Sequence, residues 1–179
     1  MVEGNSTRPL IQKVARDDFI SKHMPLENIK SALNLGCGSD YIDDPGWINV
    51  DGDLNKKADY NWDLEKAPLP FKDEQFDVIW ASHILEHITN LVELKKELTR
   101  ILKPNGKLFV IVPYFLSPCA WGDPTHVRAF SHHAFLKFYW QGFDEIQLGM
   151  AKIPCRQEFK HPEFINTLSW LWAVLIKGE

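Results

Sequence analysis

The sequence predicts an α/β fold: an open, mostly parallel sheet sandwiched by helices, with the first crossover helix short or missing. Three observations predict it. Strand-like and helix-like segments alternate along the chain, the pattern of a parallel sheet covered by helices. The strand-like segments Phe76 to Ala81 (FDVIWA) and Lys107 to Val112 (KLFVIV) are near-continuous apolar runs, which marks strands buried on both faces. Only eight residues, Ser39 to Gly46, lie between the Gly36–Gly38 turn and the next strand, which leaves little room for a helix.

The elements are expected in this order. Residues 10 to 23 carry apolar residues at helical spacing (Leu10, Val14, Phe19), and Pro25 ends that helix. Ser31 to Leu35 is a short buried strand followed by the turn GCGS. Trp47 to Val50 is a strand entered from the Pro45-Gly46 turn, and Tyr60 to Leu64 a weaker one. After the loop Pro68 to Phe71 comes the strand Phe76 to Ala81. Asn90 can cap a helix whose stripe is Leu91, Leu94, Leu98, Ile101 and Leu102. Pro104-Asn105-Gly106 ends it before the strand Lys107 to Val112. Ser131 is read as the cap of a helix through Phe135, Phe138 and Tyr139, with Gly142 as its C′ residue. Phe143 to Leu148 is a strand, another is expected near Ile153 to Phe159, and a helix closes the chain.

The chain has 179 residues, net charge −4 and 45% apolar residues. That fits a single globular domain, residues 1–179. The acidic balance, with a pI near 6.0, argues against a partner held by bulk charge, so nucleic acid is not expected. Three cysteines form no disulfide framework and fit a reducing compartment. The first residues, MVEGNSTRPLIQK, lack the apolar core of a signal peptide. The longest apolar stretch, Phe164 to Ile176, is too short to span a bilayer, which takes about 20 residues as a helix. A cytoplasmic protein is expected. Seven tryptophans are an unusual load. Trp170 and Trp172 lie in the terminal LSWLWAVLI stretch, which could cap the sheet, form a homodimer interface or touch a membrane surface.

In an open α/β sheet, ligands bind beyond the carboxyl ends of the strands where the strand order reverses. The residues just past the expected strands are Gly36-Cys37-Gly38-Ser39, Asp51-Gly52, Asp63-Leu64, Ser82-His83 and Tyr114. Glycines let a ligand approach the backbone. A carboxylate such as Asp51 can accept from both hydroxyls of a ribose, and Asp63 can accept from an exocyclic amine such as that of adenine. A GxG turn alone is weak; four such residues at strand ends in order are stronger. A dinucleotide is disfavoured because Tyr41 stands where a third glycine is needed, and Asp40, Asp43 and Asp44 would repel a pyrophosphate. No GK[ST] P-loop is present. Acidic surroundings suit a cationic nucleoside such as a sulfonium.

Four segments carry a resemblance: LNLGCGSD, PGWINVD, LPFKDEQFDVIWASHILEHI and LKKELTRILKPNGKLFVIVP. Together they resemble the class I S-adenosylmethionine (SAM)-dependent methyltransferases, a Rossmann-like family. Within it the chain is most similar to the small bacterial type with the LNLGCG…GWINVD signature, associated with glycan and cell-surface polysaccharide biosynthesis. The resemblance runs from about Ala32 to Gly142. It implies SAM as cofactor. By the resemblance, Gly36 and Gly38 lie against the methionine part, with Leu35 and Cys37 in the same loop. Asp51, with Gly52, holds the ribose. Asp63 and Leu64 sit at the adenine, and Ser82 and His83 line the far side.

Methyl transfer displaces an activated sulfonium, so the enzyme mainly supplies proximity and orientation. An oxygen acceptor must also lose a proton. The candidates are His83, Glu86, His87, Asp123 and His126, with His126 first, then His87 and Asp123. Each has a plainer alternative. Glu86 and His87 could pair near a helix start, Arg128 could pair with a surface carboxylate, His132 and His133 read as solvated, and Cys37 reads as a small packing residue. His83, Glu86, His87 and His126 also offer metal-ligand types. The order H-x-x-E-H followed by H-V-R-A-F-S is similar to the metal-binding pattern of small-RNA 2′-O-methyltransferases, which have Glu where His83 stands. Glu-His after the fourth strand is also common in metal-free methyltransferases, so the metal-free reading is preferred and no metal is expected. The expected function is therefore methyl transfer from SAM to a small-molecule or glycan acceptor, at oxygen. The rivals are a metal-assisted RNA 2′-O-methyltransferase and a SAM-binding scaffold without catalysis. Trp121, in the loop expected at the acceptor, could stack on a sugar ring or base.

Overall fold

The computed structural model describes residues 16–154 and 167–179. Seven strands form one sheet: β1 (Ala32–Leu35), β2 (Trp47–Asp51), β3 (Tyr60–Asn61), β4 (Phe76–Ser82), β5 (Leu102–Pro113), β6 (Phe143–Pro154) and β7 (Thr167–Lys177). Their order is β3-β2-β1-β4-β5-β7-β6. The first five run parallel, and β7 runs antiparallel to both β5 and β6. The order turns back between β1 and β4, as the ligand argument requires.

Each strand's alternation divides the core into two faces. Leu33, Leu35, Val50, Ile79, Ala81, Leu108, Val110 and Val112 pack on one side. Helix α2 (Leu91–Ile101), the second after the helical residues 16–21 (α1), covers it with Leu94, Leu98 and Ile101. Asn90 caps α2, its side-chain oxygen accepting from the Glu93 N–H at 3.3 Å. Leu98 is fully buried, so Leu98→Ala would cost about 2–5 kcal/mol. The opposite face holds Ala32, Val78, Trp80, Phe109 and Val174 under Ile20 of α1.

No helix follows β1, which agrees with the expected short crossover. A polar network takes its place. Asn34 donates to the Asp40 carbonyl at 2.8 Å and to Asn49 Oδ1 at 3.0 Å. Asn49 Oδ1 also accepts from the Ile42 N–H, while its amide donates to the Ile42 carbonyl and to Asp59. These buried amides fasten residues 40–42 across β1 and β2. Fully satisfied buried amides of this kind hold a loop in one arrangement.

Five expectations change. The helix expected to include Leu102 and to end at Pro104-Asn105-Gly106 stops at Ile101, and β5 already begins at Leu102 and runs through those three residues, because Leu102 pairs with Phe76 of β4. The terminal LSWLWAVLI is strand β7, not a helix. It pairs with β5 from Lys107↔Ile176 to Pro113↔Trp170 and with β6 along its other edge. Its β-branched and aromatic residues suit a strand paired on both sides, and Leu171, Ala173, Val174 and Leu175 are all buried. The helix expected after Ser131 is two short 3₁₀ turns, His132–Phe135 and Lys137–Tyr139, and Ser131 makes no capping hydrogen bond. The strand Phe143 to Leu148 continues to Pro154 as β6, absorbing the start of the one expected near Ile153. Residues 155–159, like Leu10 and Val14, lie outside the described residues. The strand expected over Tyr60 to Leu64 shrinks to Tyr60–Asn61, both exposed on the sheet edge. Phe19 lies on α1 and packs against the second face as expected.

Candidate active site

The register brings the strand ends level. Leu35 lies beside both Val50 and Ala81, and Ala81 beside Val110. Gly36, Asp51 and Ser82 therefore emerge on one edge. Gly36 has φ +65°, a left-handed conformation that favours glycine. A Cβ there would lie 2.4 Å from Cγ1 of Ile84, so Ile84 closes on the bare Cα. The Gly36 and Cys37 N–H groups both donate to the Val50 carbonyl, at 2.9 and 3.0 Å. Gly38, at φ +54°, is different: nothing lies within 4 Å of where its Cβ would stand.

Asp51 faces this turn. Its Oδ2 accepts from the Gly38 N–H at 2.6 Å and its Oδ1 from the Asp53 N–H at 2.8 Å. Each oxygen keeps acceptor capacity, since a carboxylate offers about four lone-pair sites. Gly52 passes close to the next segment: a Cβ on it would lie 3.5 Å from the Trp62 carbonyl oxygen. Asp63 stands half exposed, its Oδ1 accepting from the Glu65 N–H and its Oδ2 3.4 Å from Lys66. Leu35 and Leu64 are buried beneath these groups. Cys37 is buried too. Burial, then the charge of Asp51, pushes its thiol up to about 11. It is a protonated packing group donating weakly to the Lys57 carbonyl at 3.4 Å.

Ser82 ends β4, and His83 follows at φ +55°, a conformation that costs a non-glycine residue about 1–2 kcal/mol. Its N–H donates to the Ile111 carbonyl at 2.8 Å. Its ring sits edge-on to Trp170 at 4.7 Å and places Nδ1 3.2 Å from Glu86 Oε1. Glu86 is 1% exposed, yet its Oε2 has no hydrogen-bond partner among the described residues.

His87, Asp123 and His126 lie together. The His87 and His126 rings meet edge to face at 4.7 Å. Thr125 donates its hydroxyl to Asp123 Oδ1 at 2.6 Å and lies 3.0 Å from His87 Nδ1. Hydrogen bonds from the Thr125 hydroxyl and N–H hold the Asp123 carboxyl below its ordinary range. His126 Nδ1 lies 3.2 Å from the Ala120 carbonyl, and its Nε2 4.0 Å from Asp123. Ala120 belongs to the single turn α3 (Cys119–Gly122). The Val127 N–H donates to the Glu86 carbonyl at 2.9 Å, which ties this loop to the end of β4. Arg128 donates to the Thr89 carbonyl at 2.6 Å instead of to a surface carboxylate. Sequence reasoning missed Thr125, the Ala120 carbonyl and the approach of Trp170. The DPTH spacing, Asp two residues before Thr, was the one available signal for Thr125.

Residues 33–110 match the family described as methyltransferase domain. The C-methyltransferase UbiE of ubiquinone and menaquinone biosynthesis from Vibrio parahaemolyticus is 30% identical over 108 residues, 60% of this chain and 38% of that protein. An uncharacterized protein of Methanocaldococcus jannaschii is 35% identical over 97 residues, 48% of this chain and 43% of its own. The chain thus spans less than half the length of these curated relatives. Among solved structures, a SAM-dependent methyltransferase from Archaeoglobus fulgidus superposes with a TM-score of 0.72 at 17% identity, covering 94% of each chain. A methyltransferase of Haloferax volcanii, solved in complex with the Trm112 activator, superposes at 0.68 and 20% identity, covering 97% of this chain and 94% of that one. The chain has the Rossmann-like class I methyltransferase fold, and its residues 33–110 carry the methyltransferase-domain pattern.

Proposed function

We propose that the chain is a SAM-dependent methyltransferase acting at oxygen on a small-molecule or glycan acceptor. One observation carries the cofactor assignment. The carboxylate of Asp51 is held by the Gly38 N–H beside a glycine whose open side faces free space. In this reading Gly36 and Gly38, with Leu35 and Cys37, pass under the methionine part. Asp51 and Gly52 take the ribose, Asp63 and Leu64 the adenine, and Ser82 and His83 the opposite wall. The residues fit such a ligand because Asp51 keeps lone pairs for two hydroxyls. The cofactor supplies the activated methyl group.

The chain's own part is to orient the acceptor and take its proton. The Ala120 carbonyl can only accept, so His126 Nδ1 carries a hydrogen and Nε2 holds the lone pair. His126 is the proposed base. Asp123, kept ionised by Thr125, stands 4.0 Å from that nitrogen to stabilise the resulting imidazolium. His87 lines the same spot. A carbon acceptor is the second reading, supported by the named C-methyltransferase relative. The net charge of −4 counts against an RNA acceptor. Among the described residues no helix is long and apolar enough to cross a membrane.

Calorimetric titration with SAM and S-adenosylhomocysteine tests the cofactor. Absence of binding at millimolar ligand would sink the proposal. A methyl-transfer screen over sugars and small hydroxyl compounds tests the acceptor, and the methylated atom of the product separates oxygen from carbon.

A further inference from the structure

Three side chains past β4 and β5 bring metal-ligand atoms together. One ligand atom each from Glu86, His87 and His126 lies within 4.8 Å of the other two. The hydrogen-bond partners fix what these atoms are. Thr125 has one hydroxyl hydrogen, and it goes to Asp123 at 2.6 Å. Toward His87 the Thr125 oxygen therefore accepts, so His87 Nδ1 carries the ring hydrogen. The Ala120 carbonyl imposes the same form on His126. Both neutral imidazoles thus carry their hydrogen on Nδ1 and the lone pair on Nε2. Metal-bound histidines are oriented in this way, by an oxygen on the far ring nitrogen.

The third group supplies an independent observation. Glu86 is 1% exposed, and its Oε2 is one of only three buried side-chain polar atoms without a partner among the described residues. A buried carboxylate oxygen with no donor is costly to keep. Its other oxygen is engaged by His83 Nδ1, so the side chain cannot turn away without losing that contact. Two imidazole nitrogens and one carboxylate oxygen are a donor set for a cation.

We propose that Glu86, His87 and His126 bind a divalent transition-metal ion, Zn²⁺ first, with one coordination position left open for an acceptor oxygen or water. Three protein ligands of the His₂Glu type with an open fourth position are the usual arrangement of a reactive zinc site. Ligands at the usual ~2.0–2.1 Å from the metal stand about 3.4 Å apart in a tetrahedron, against up to 4.8 Å here, so the side chains must close by up to about 1.4 Å. The proposal revises the metal-free preference of the sequence, which rested on the Glu-His pair being common and did not see the fixed ring forms. It does not depend on methyl transfer. Metal and base use of His126 exclude each other. In the loaded protein the ion would lower the pKa of a bound acceptor hydroxyl, and its proton would pass to solvent water instead of to the imidazole.

The test is metal binding by the full chain without cofactor. Apo protein prepared with a chelator is titrated with Zn²⁺ by calorimetry, and Co²⁺ is added separately to read its visible spectrum. We expect one equivalent of Zn²⁺ at micromolar affinity or tighter, and intense tetrahedral Co²⁺ bands. Binding should fall at least 100-fold in Glu86→Gln and again in His87→Ala and His126→Ala. Thr125→Val, which removes only the oxygen that orients His87, should weaken it about 10- to 100-fold. His132→Ala/His133→Ala removes the other neighbouring histidine pair, whose rings lie 4.3 Å apart, and should change nothing. Circular dichroism checks that each variant folds, and the two histidine variants decide the matter if Glu86→Gln does not. Substoichiometric binding overturns the proposal. So does binding that survives His87→Ala and His126→Ala, or is lost only with His132 and His133.

Discussion

Gly36 and Gly38 share a positive φ but not an environment, and this separates a folding role from a binding role. In Gly36→Ala the new methyl group meets Ile84, with Cγ1 at 2.4 Å, Cδ1 at 2.5 Å and Cβ at 2.8 Å. Rotating the side chain cannot clear Cβ, so the backbone of the β1 turn must shift. The left-handed conformation costs about 1–2 kcal/mol, and forcing a methyl into a packed contact about 1–3 kcal/mol more. The sum is about 2–5 kcal/mol, which for a chain of this size lowers the midpoint of thermal unfolding by ~4–20 °C. In Gly38→Ala only the first cost applies, about 1–2 kcal/mol, because the methyl enters open space. That variant should stay folded yet lose SAM affinity, since the space it fills is the space assigned to the ligand. Denaturant unfolding of both variants, of Ile84→Ala and of Gly36→Ala/Ile84→Ala completes a cycle. The double variant should recover at least ~1 kcal/mol relative to additivity. Additive effects at 36 and 84, or equal destabilisation at 36 and 38, would refute the packing argument.

Asp51→Asn should weaken SAM about 10- to 100-fold, the value of charge-assisted hydrogen bonds at ~1.5–3 kcal/mol, while leaving the fold intact; unchanged affinity by calorimetry contradicts the ribose assignment. Glu97 carries a pH prediction. Its carboxylate accepts from Arg100 and from the Leu69 N–H at 2.7 Å, and the Arg100 hydrogen bond above all lowers its pKa. A lowered folded value means that stability is present above the unfolded value, about 4.3, and is lost as pH falls through the folded one. Glu97→Gln should cost about 1.5–3 kcal/mol at neutral pH and flatten the acid side of the unfolding curve; an unchanged acid limb counts against this pairing. Trp121 is 70% exposed and fastened by a hydrogen bond from its Nε1 to the Phe115 carbonyl at 2.7 Å. Trp121→Ala should change stability by less than about 1 kcal/mol but raise the acceptor KM, and an unchanged KM removes it from the acceptor site. Gly149→Ala would set a methyl 2.2 Å from Trp172 Cζ2. It should cost ~1–3 kcal/mol, recovered by Trp172→Leu, and absence of that recovery would argue against the β6–β7 register.

The parts of the fold that were legible are those whose signal is local. FDVIWA and KLFVIV are buried on both faces, and continuous apolar runs say so without any partner. The α2 stripe as far as Ile101 and its Asn90 cap are equally local. The terminal LSWLWAVLI is a different kind of segment. But for Ser169 it is apolar throughout, so periodicity does not choose between helix and strand. What decides is the free edge of β5. Seven registered residues of β7 fill it, and β6 covers the far side. The segment from Ser131 to Tyr139 fails for the opposite reason. It has helical spacing, but Phe135 stacks on Trp140 at 5.5 Å and on Phe130 at 5.7 Å. Those contacts are satisfied by two tight turns and not by a continuous helix.

The site divides along the same line. Gly36, Gly38, Asp51 and Asp63 could be placed because strand ends in a parallel sheet collect at one edge, and a residue's rank after its strand is written in the sequence. The chemistry of His87 and His126 could not be placed so. It depends on which ring nitrogen holds a hydrogen, and that is settled by Thr125, 38 residues from His87, and by the carbonyl of Ala120. A backbone carbonyl has no residue type to read. Glu86 adds a quantity that no sequence contains: a burial of 99% with one oxygen unpartnered. Sequence identified the ligand types at this spot and preferred the metal-free alternative on frequency. Geometry changes the weighing, because a buried carboxylate with an oxygen lacking a donor among the described residues lies beside two imidazoles and calls for something positive there. Either a proton shared among Glu86, His87 and His126 or a metal ion meets that need, and the two leave different traces. A shared proton is indifferent to chelators, whereas a bound ion is removed by them and returns with stoichiometry one.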